Sequence, residues 1–183
     1  MNFIKTDIDG VVIVEPRVFR DARGYFFESY NAAEFAANGI DNVFVQDNQS
    51  MSSYGVVRGL HCQLGDHAQA KLVRVLSGTV LDVAVDIRPG SPTFGKHVAV
   101  ELSAENGRQL FIPRGFLHGF SVLSDTAVFA YKCDNLYHPE SEFGIRYDDA
   151  EIGVDWRIPA DKIITSDKDR MARGLKDVPG YGM

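Results

Sequence analysis

Apolar and polar residues alternate in short runs along most of this chain, and brief turn signals separate the runs. The clearest case is TVLDVAVDI, residues 79–87. Leu81, Val83, Val85 and Ile87 alternate there with Asp82, Ala84 and Asp86, the period of two of a half-buried β-strand. KLVRVL precedes this run across the turn Ser77-Gly78, and RPGSPTFGK follows it as a loop. HVAVEL, the turn SAENG, RQLFIP, GFLHGFSVL and TAVFAYKCD continue the series. Upstream, GVVIVEPRVF (10–19) predicts a strand interrupted at Pro16, DARG (21–24) a turn and YFFESY (25–30) a further strand. NAAEFAANG (31–39) is the best helix pattern of the first half, with Asn31 placed to cap it and Gly39 to end it. NVFVQDNQS (42–50) returns to strand chemistry.

Successive strands with short turns and no intervening helices predict a mostly antiparallel β protein, built as a sandwich, a jelly roll or a barrel. From about residue 138 the chain becomes polar and turn-rich, with a short helix predicted near 167–174. No Gly/Ser linker, low-complexity run or repeat interrupts the sequence, so residues 1–183 are read as one domain with a C-terminal extension.

Composition narrows the function classes. The 183 residues carry 19 Lys+Arg against 25 Asp+Glu, a net charge of −6. That balance disfavours non-specific nucleic-acid binding but leaves room for a small anion held by a few arginines. The two cysteines, Cys62 and Cys133, form neither a C-x-x-C pair nor a zinc pattern, and are read as buried thiols in a reducing compartment. No run approaches the roughly 18 apolar residues of a spanning helix, and MNFIKTDIDG lacks the apolar stretch of a secretory leader. No membrane association is expected, and the location expected is cytoplasmic.

RGLHCQ (58–63) raises the main chemical question: His61 could be a metal ligand, a base or a packed core residue. GVVRGLHCQ and PRGFLH resemble the paired motifs of the cupin superfamily, whose fold is a small jelly-roll barrel. Metal-binding cupins carry H-x-H and then a glutamate in the first motif. Here Gln63 replaces the second histidine, and His67 and Ala68 stand where the glutamate would fall. His61 and His118 alone are a poor ligand set, and Lys71 nearby would oppose a cation. No bound metal is expected.

Several segments then point to one cupin family. RGLHCQ, AKLVRVLSGTVLDVAVDIR, SPTFGK, RQLFIPRGFLHGF and YKCDNLYHPESEFGIRYDD follow one another at its spacing, joined by DARGYFFESY, FVQDNQS and TSDKD. Over roughly residues 3–170 the chain closely resembles the dTDP-4-dehydrorhamnose 3,5-epimerase family. The resemblance implies a cupin-type antiparallel barrel with short C-terminal helices. It implies a dTDP-4-keto-6-deoxyhexose substrate epimerised at C3 and C5 without a metal or redox cofactor. Both hydrogens are α to the C4 carbonyl, so the reaction needs a base, an acid on the opposite face and a group at the enolate oxygen.

His61 resembles the family's base; imidazoles titrate near neutral pH and can take and release a proton. Asp169 resembles the carboxylate that pairs with it, Tyr131 the opposite-face acid and Lys71 the ammonium at the C4 oxygen. A phenol has an ordinary pKa near 10, which a neighbouring cation would be expected to lower. Arg58 and His118 would add donors around the ketone or the phosphate. Arg23, Glu28, Gln46, Asn48, Glu142 and Lys168 resemble nucleotide-binding positions, and Phe19, Phe27 and Tyr137 are candidates to stack on thymine, the alternative being that they are core aromatics. Asp82 and Asp86 are read as holding loops, the alternative being that they line the pocket. The resemblance also implies a homodimer that exchanges N-terminal strands, for which VVIVEP has edge-strand character.

Two departures stand out: Cys62, where the family usually carries an aromatic residue, and the tail RMARGLKDVPGYGM. On a strand Cys62 faces away from His61, so only packing should change. Alternative readings are a single-position epimerase, a keto-isomerase of the same barrel, and a non-catalytic nucleotide-sugar binding module.

Overall fold

The computed structural model describes residues 1–182. The N-terminal third holds β1 (Asn2–Lys5), β2 (Val12–Glu15), β3 (Phe19–Asp21), β4 (Gly24–Phe26), α1 (Ala32–Ala37) and β5 (Gln46–Ser53). The central run adds β6 (Val57–Gln63), β7 (Lys71–Ser77), β8 (Thr79–Asp86), β9 (His97–Ser103) and β10 (Gln109–Ile112). After these come β11 (Phe116–Val122), β12 (Thr126–Cys133), β13 (Glu142–Gly144) and the short helix α2 (Asp167–Arg170). Every strand pairing is antiparallel.

The strands form two facing sheets. One has six strands in the order β1-β2-β10-β7-β12-β5, the other five in the order β13-β6-β11-β8-β9. Alternation along each strand decides which side chains meet between them. Val73 and Val75 on β7, Phe129 on β12, Ala84 on β8, and Phe116 and Phe120 on β11 fill the interior. Phe120 and Phe129 stack there with ring centroids 4.2 Å apart.

Two further apolar layers cover the outer faces. Phe35 of α1 sits on Val14, Leu72 and Phe111 of the six-stranded sheet. Asn31 caps α1 by accepting from the backbone N–H groups of Ala33 and Glu34, and Gly39 follows the helix at φ +83°. On the five-stranded sheet, Leu60, Cys62, Leu81, Val83, Val85 and Leu117 pack against Ile152, Trp156, Leu175 and Val178 of the C-terminal segment. Nothing in the polar texture after residue 138 announces this covering layer, yet the divergent tail docks through Leu175 and Val178.

Several expectations change as a result. β8 is buried on both faces from Val80 to Asp86, not half-buried, because the C-terminal layer covers the face opposite the interior. The strand expected over 25–30 stops at Phe26, and that expected over 42–50 starts at Gln46. The late helix is shorter than the span 167–174, ending at Arg170. β2 is not an edge: it lies between β1 and β10, and β1 takes the edge. Cys62 and Cys133 are buried free thiols, and burial pushes them up to about 12 and about 11.

Asp86 does hold a loop. Its fully buried carboxylate accepts from Arg88 (Nε 2.9 Å, Nη2 2.7 Å), from Ser91 Oγ at 2.6 Å and from Thr93 Oγ1 at 2.6 Å. Burial alone would raise its pKa, but these donors together hold it down at about 2. Because the folded value lies below the ordinary value near 4, this stabilisation is complete above about pH 4 and disappears as pH falls toward 2. Asp86→Ala is expected to cost about 3 kcal/mol in urea unfolding at neutral pH. The gap between variant and parent should narrow between about pH 4 and pH 2.

Candidate active site

A cavity of about 700 Å³, within the range of small-molecule sites, is lined by residues of both sheets. From the five-stranded sheet β6 supplies Arg58 and His61, and β11 supplies His118. From the six-stranded sheet β5 supplies Asn48, β7 Lys71 and β12 Tyr131. α2 closes one side with Lys168 and Asp169. The apolar floor is Phe120 and Phe129.

Backbone economy places the two histidines side by side. His61 pairs with His118 across β6 and β11, and the register shifts just beyond, between His118 and Phe120. A side chain at Gly59 (φ +120°) would bring its Cβ within 2.6 Å of Gly119 Cα, so only glycines allow the strands this approach. Cys62 faces the C-terminal layer, opposite His61, as alternation requires.

His61 Nε2 lies 2.6 Å from Asp169 Oδ1, across 108 residues of sequence. Asp169 is buried, and its other oxygen accepts from the Gly59 N–H at 3.3 Å. Burial would raise the Asp169 pKa, but His61, the Gly59 N–H and Ser166 together hold it below the ordinary carboxylate range. Ser166 also positions the residue, since its side chain caps α2 by accepting from the Asp169 N–H. His61 Nδ1 has no hydrogen-bond partner among the described residues and is the ring nitrogen left for a substrate.

Across the cavity stand Tyr131 and Lys71. Burial pushes the Tyr131 phenol up, more than Arg58 pulls it down, so the neighbouring cation does not lower it as expected. Burial pushes the Lys71 ammonium down, although Cys133, Cys62, Asp82 and Glu142 act in the other direction. Nζ of Lys71 makes no ion pair among the described residues and lies 5.9 Å from the Tyr131 ring centroid. Arg58 is steadied by its Nε donating to Ser52 Oγ at 3.0 Å.

The rim is one hydrogen-bonded chain. Gln46 donates to Asn48 Oδ1 at 3.1 Å and accepts from the Tyr137 N–H at 2.9 Å. The Tyr137 hydroxyl donates to Glu142 at 3.0 Å, and Glu142 pairs with Lys168 at 2.6 Å. Burial works against the Glu142 carboxylate, but Lys168 and Tyr137 hold its pKa below the usual range. Tyr137 remains 56 % exposed, so its ring face is free.

Four predicted positions lie elsewhere. Phe19 and Arg23 lie on or within the β3–β4 ribbon, and Phe27 and Glu28 follow it; the ribbon joins neither large sheet. Arg23 pairs locally with Asp21, Phe27 stacks on Tyr25, and Glu28 accepts from Asn31. Asp82 also departs from its reading: it holds no loop but lies inside the barrel, with Oδ2 2.9 Å from His118 Nε2. Ser52, Ser166, Thr165 and Gly144, whose Cβ would meet His61 Cδ2 at 3.1 Å, complete the surroundings. Of these only Ser166 had a sequence signal, the S-x-x-D spacing of a helix cap.

A carboxylate-anchored imidazole, a phenol and an ammonium around one cavity can move protons at a carbon beside a carbonyl. The fold and this equipment define a cupin-type β-barrel of the proton-transferring kind. A family model described as dTDP-4-dehydrorhamnose 3,5-epimerase matches residues 5–177. The dTDP-4-dehydrorhamnose 3,5-epimerase of Methanothermobacter thermautotrophicus is 52% identical over 181 residues, covering 98% of this chain and 97% of the relative. The crystal structure of the Elizabethkingia anophelis epimerase superposes with a TM-score of 0.93 at 55% identity, covering 97% of each chain. A Legionella pneumophila dTDP-6-deoxy-D-glucose-3,5-epimerase in complex with dTDP-4-keto-L-rhamnose does so with a TM-score of 0.93 at 52% identity, covering 97% of this chain and 94% of that one. This chain belongs to the dTDP-4-dehydrorhamnose 3,5-epimerase family, whose members are isomerases.

Proposed function

We propose that the protein epimerises dTDP-4-keto-6-deoxy-D-glucose at C3 and C5 to dTDP-4-keto-L-rhamnose, in dTDP-L-rhamnose biosynthesis. The observation that carries this is the placing of His61 and Tyr131 on opposing sheets across one cavity, with Lys71 between the same walls. His61 removes a proton through Nδ1 while Asp169 accepts the Nε2 proton, orients the ring and stabilises the imidazolium. Lys71 and Arg58 neutralise the charge that develops on the C4 oxygen. Tyr131, kept protonated by burial, returns a proton from the other face. The cycle is redox-neutral, and these side chains can supply each proton transfer.

Proton NMR of that substrate with the protein in deuterated water tests this. Deuterium entering at both C3 and C5 is expected. Entry at one position points to a single-position epimerase, and none points to a binding module. Tyr131→Phe separates the two proton transfers. The inverted product should form about 100-fold more slowly, while deuterium still washes into substrate from the His61 side.

The nucleotide lies along the rim, with Tyr137 stacked on thymine and Lys168, Gln46 and Asn48 among its polar contacts. Arg23, Glu28, Phe19 and Phe27 do not line the His61 cavity of their own chain, and they would serve a nucleotide if the ribbon entered the cavity of a second copy, so the working form is a homodimer. Exposure of Phe19, Tyr25 and Phe26 at 51%, 59% and 70% supports that reading. Free thiols at Cys62 and Cys133 fit a cytoplasmic location.

A further inference from the structure

Beside the His61–Asp169 pair the barrel holds a second, more deeply buried histidine–carboxylate pair. His118 is 7% exposed, and its Nε2 lies 2.9 Å from Oδ2 of Asp82, which is 0% exposed. Asp82 comes from β8, on the interior face it shares with Val80 and Ala84. Its Oδ1 has no hydrogen-bond partner among the described residues. A buried carboxylate with one unsatisfied oxygen is costly and calls for a physical explanation.

The bond itself constrains His118. A carboxylate only accepts, so the proton in this contact belongs to Nε2. His118 Nδ1 has no protein partner among the described residues, and the ring lines the cavity. The groups around it are His61, Lys71, Arg58 and Tyr131. Three of these carry or acquire positive charge, which disfavours a further imidazolium beside them. Burial pushes His118 below the usual imidazole range and Lys71 and His61 add to this, while Asp82 acts in the other direction. A neutral ring protonated at Nε2 presents a lone pair at Nδ1.

We propose that Asp82 is a positioning residue: by holding the Nε2 proton of His118 it turns the Nδ1 lone pair toward the cavity, so that His118 accepts a hydrogen bond from a hydroxyl of the bound sugar and does not donate to the ketone oxygen. The identity of the donor rests on the keto-sugar reading above; the tautomer does not. The ketone then has to sit on the Lys71 side, away from the His118 lone pair. A sugar lacking the matching hydroxyl would leave Nδ1 unpaired, which makes this contact a determinant of substrate choice.

The test is a long-range proton–nitrogen NMR spectrum of the ¹⁵N-labelled full chain near neutral pH, with the His118 signals assigned by their loss in His118→Gln. The expected spectrum shows an unprotonated Nδ1 and a protonated Nε2. In Asp82→Leu a mixture of tautomers should appear, and kcat for deuterium incorporation should fall about 10- to 100-fold, the size found when a carboxylate behind a metal-bound histidine is removed. Asp82→Asn, whose amide oxygen can still accept from Nε2, should retain the tautomer and part of the rate. An imidazolium or an Nδ1–H tautomer in the parent protein would overturn the proposal, whether or not Asp82→Leu folds. An unchanged kcat in a folded Asp82→Leu would do so too. Failure of the keto-sugar reading would appear separately, as absence of deuterium incorporation by the parent protein.

Discussion

Replacing His61 by alanine should lower deuterium incorporation at both C3 and C5 by about 10³- to 10⁴-fold, the upper range for loss of a positioned general base. The size follows from how the ring is held. Its Nε2 is tied to Asp169 at 2.6 Å, and a Cβ at Gly144 would come within 3.1 Å of the ring, so the imidazole is held in one place with Nδ1 left for the substrate. The fold should survive. The interior core lies on Phe120, Phe129 and the valines of β7, and Asp169 keeps its Gly59 N–H contact when the imidazole is gone. Leaving that carboxylate without its main partner should cost roughly 1–3 kcal/mol in a thermal or urea melt. Loss of folded protein, with exchange per folded molecule unchanged, would mean that His61 is a structural histidine after all.

Lys71→Met should act in opposite directions on rate and stability. The ammonium sits recessed in the cavity wall with no ion pair among the described residues, and burial pushes its pKa down. A basic group whose folded pKa is depressed destabilises the fold in full below the folded value, and the cost fades as pH rises from there to the ordinary lysine value of about 10.4. Methionine removes the charge and keeps most of the volume. Stability should therefore rise by about 1 kcal/mol near neutral pH, a Tm increase of roughly 2–4 °C for a chain of this size. The rate should fall by about 10²- to 10³-fold, because the C4 oxygen loses its buried cation. A rate within threefold of the parent would remove Lys71 from the mechanism, and a lower Tm would show that its stem, not its charge, matters for packing.

The opposite effects belong to two kinds of information. Strand identity was legible because alternation and turn chemistry are local. Leu81 to Ile87, the Ser77-Gly78 turn and the Asn31 cap all occur where a short window of residues places them. The proposal that His61 is a base rests on several motifs taken together, since one histidine in RGLHCQ is compatible with a ligand, a base or a core residue. The extent of strand β8's burial was not legible. Periodicity reports one covered face, while the second was covered by Ile152, Trp156, Leu175 and Val178, from a segment whose local texture is irregular.

By itself, then, the order of residues determined an antiparallel β architecture, the absence of a cupin metal motif at position 63, and the set of ionisable residues available for proton transfer. Tertiary structure alone decided which of these meet. Asp169 reaches His61 across 108 residues, and Asp82, read as a loop residue, turns inward to His118. It also decided that Phe19 and Arg23 on the β3–β4 ribbon, and Phe27 and Glu28 just after it, do not line their own chain's His61 cavity. The reason is physical: backbone preference and side-chain alternation act over a few residues, whereas charge pairing, burial and the pKa values they set depend on which strands become neighbours when the two sheets close.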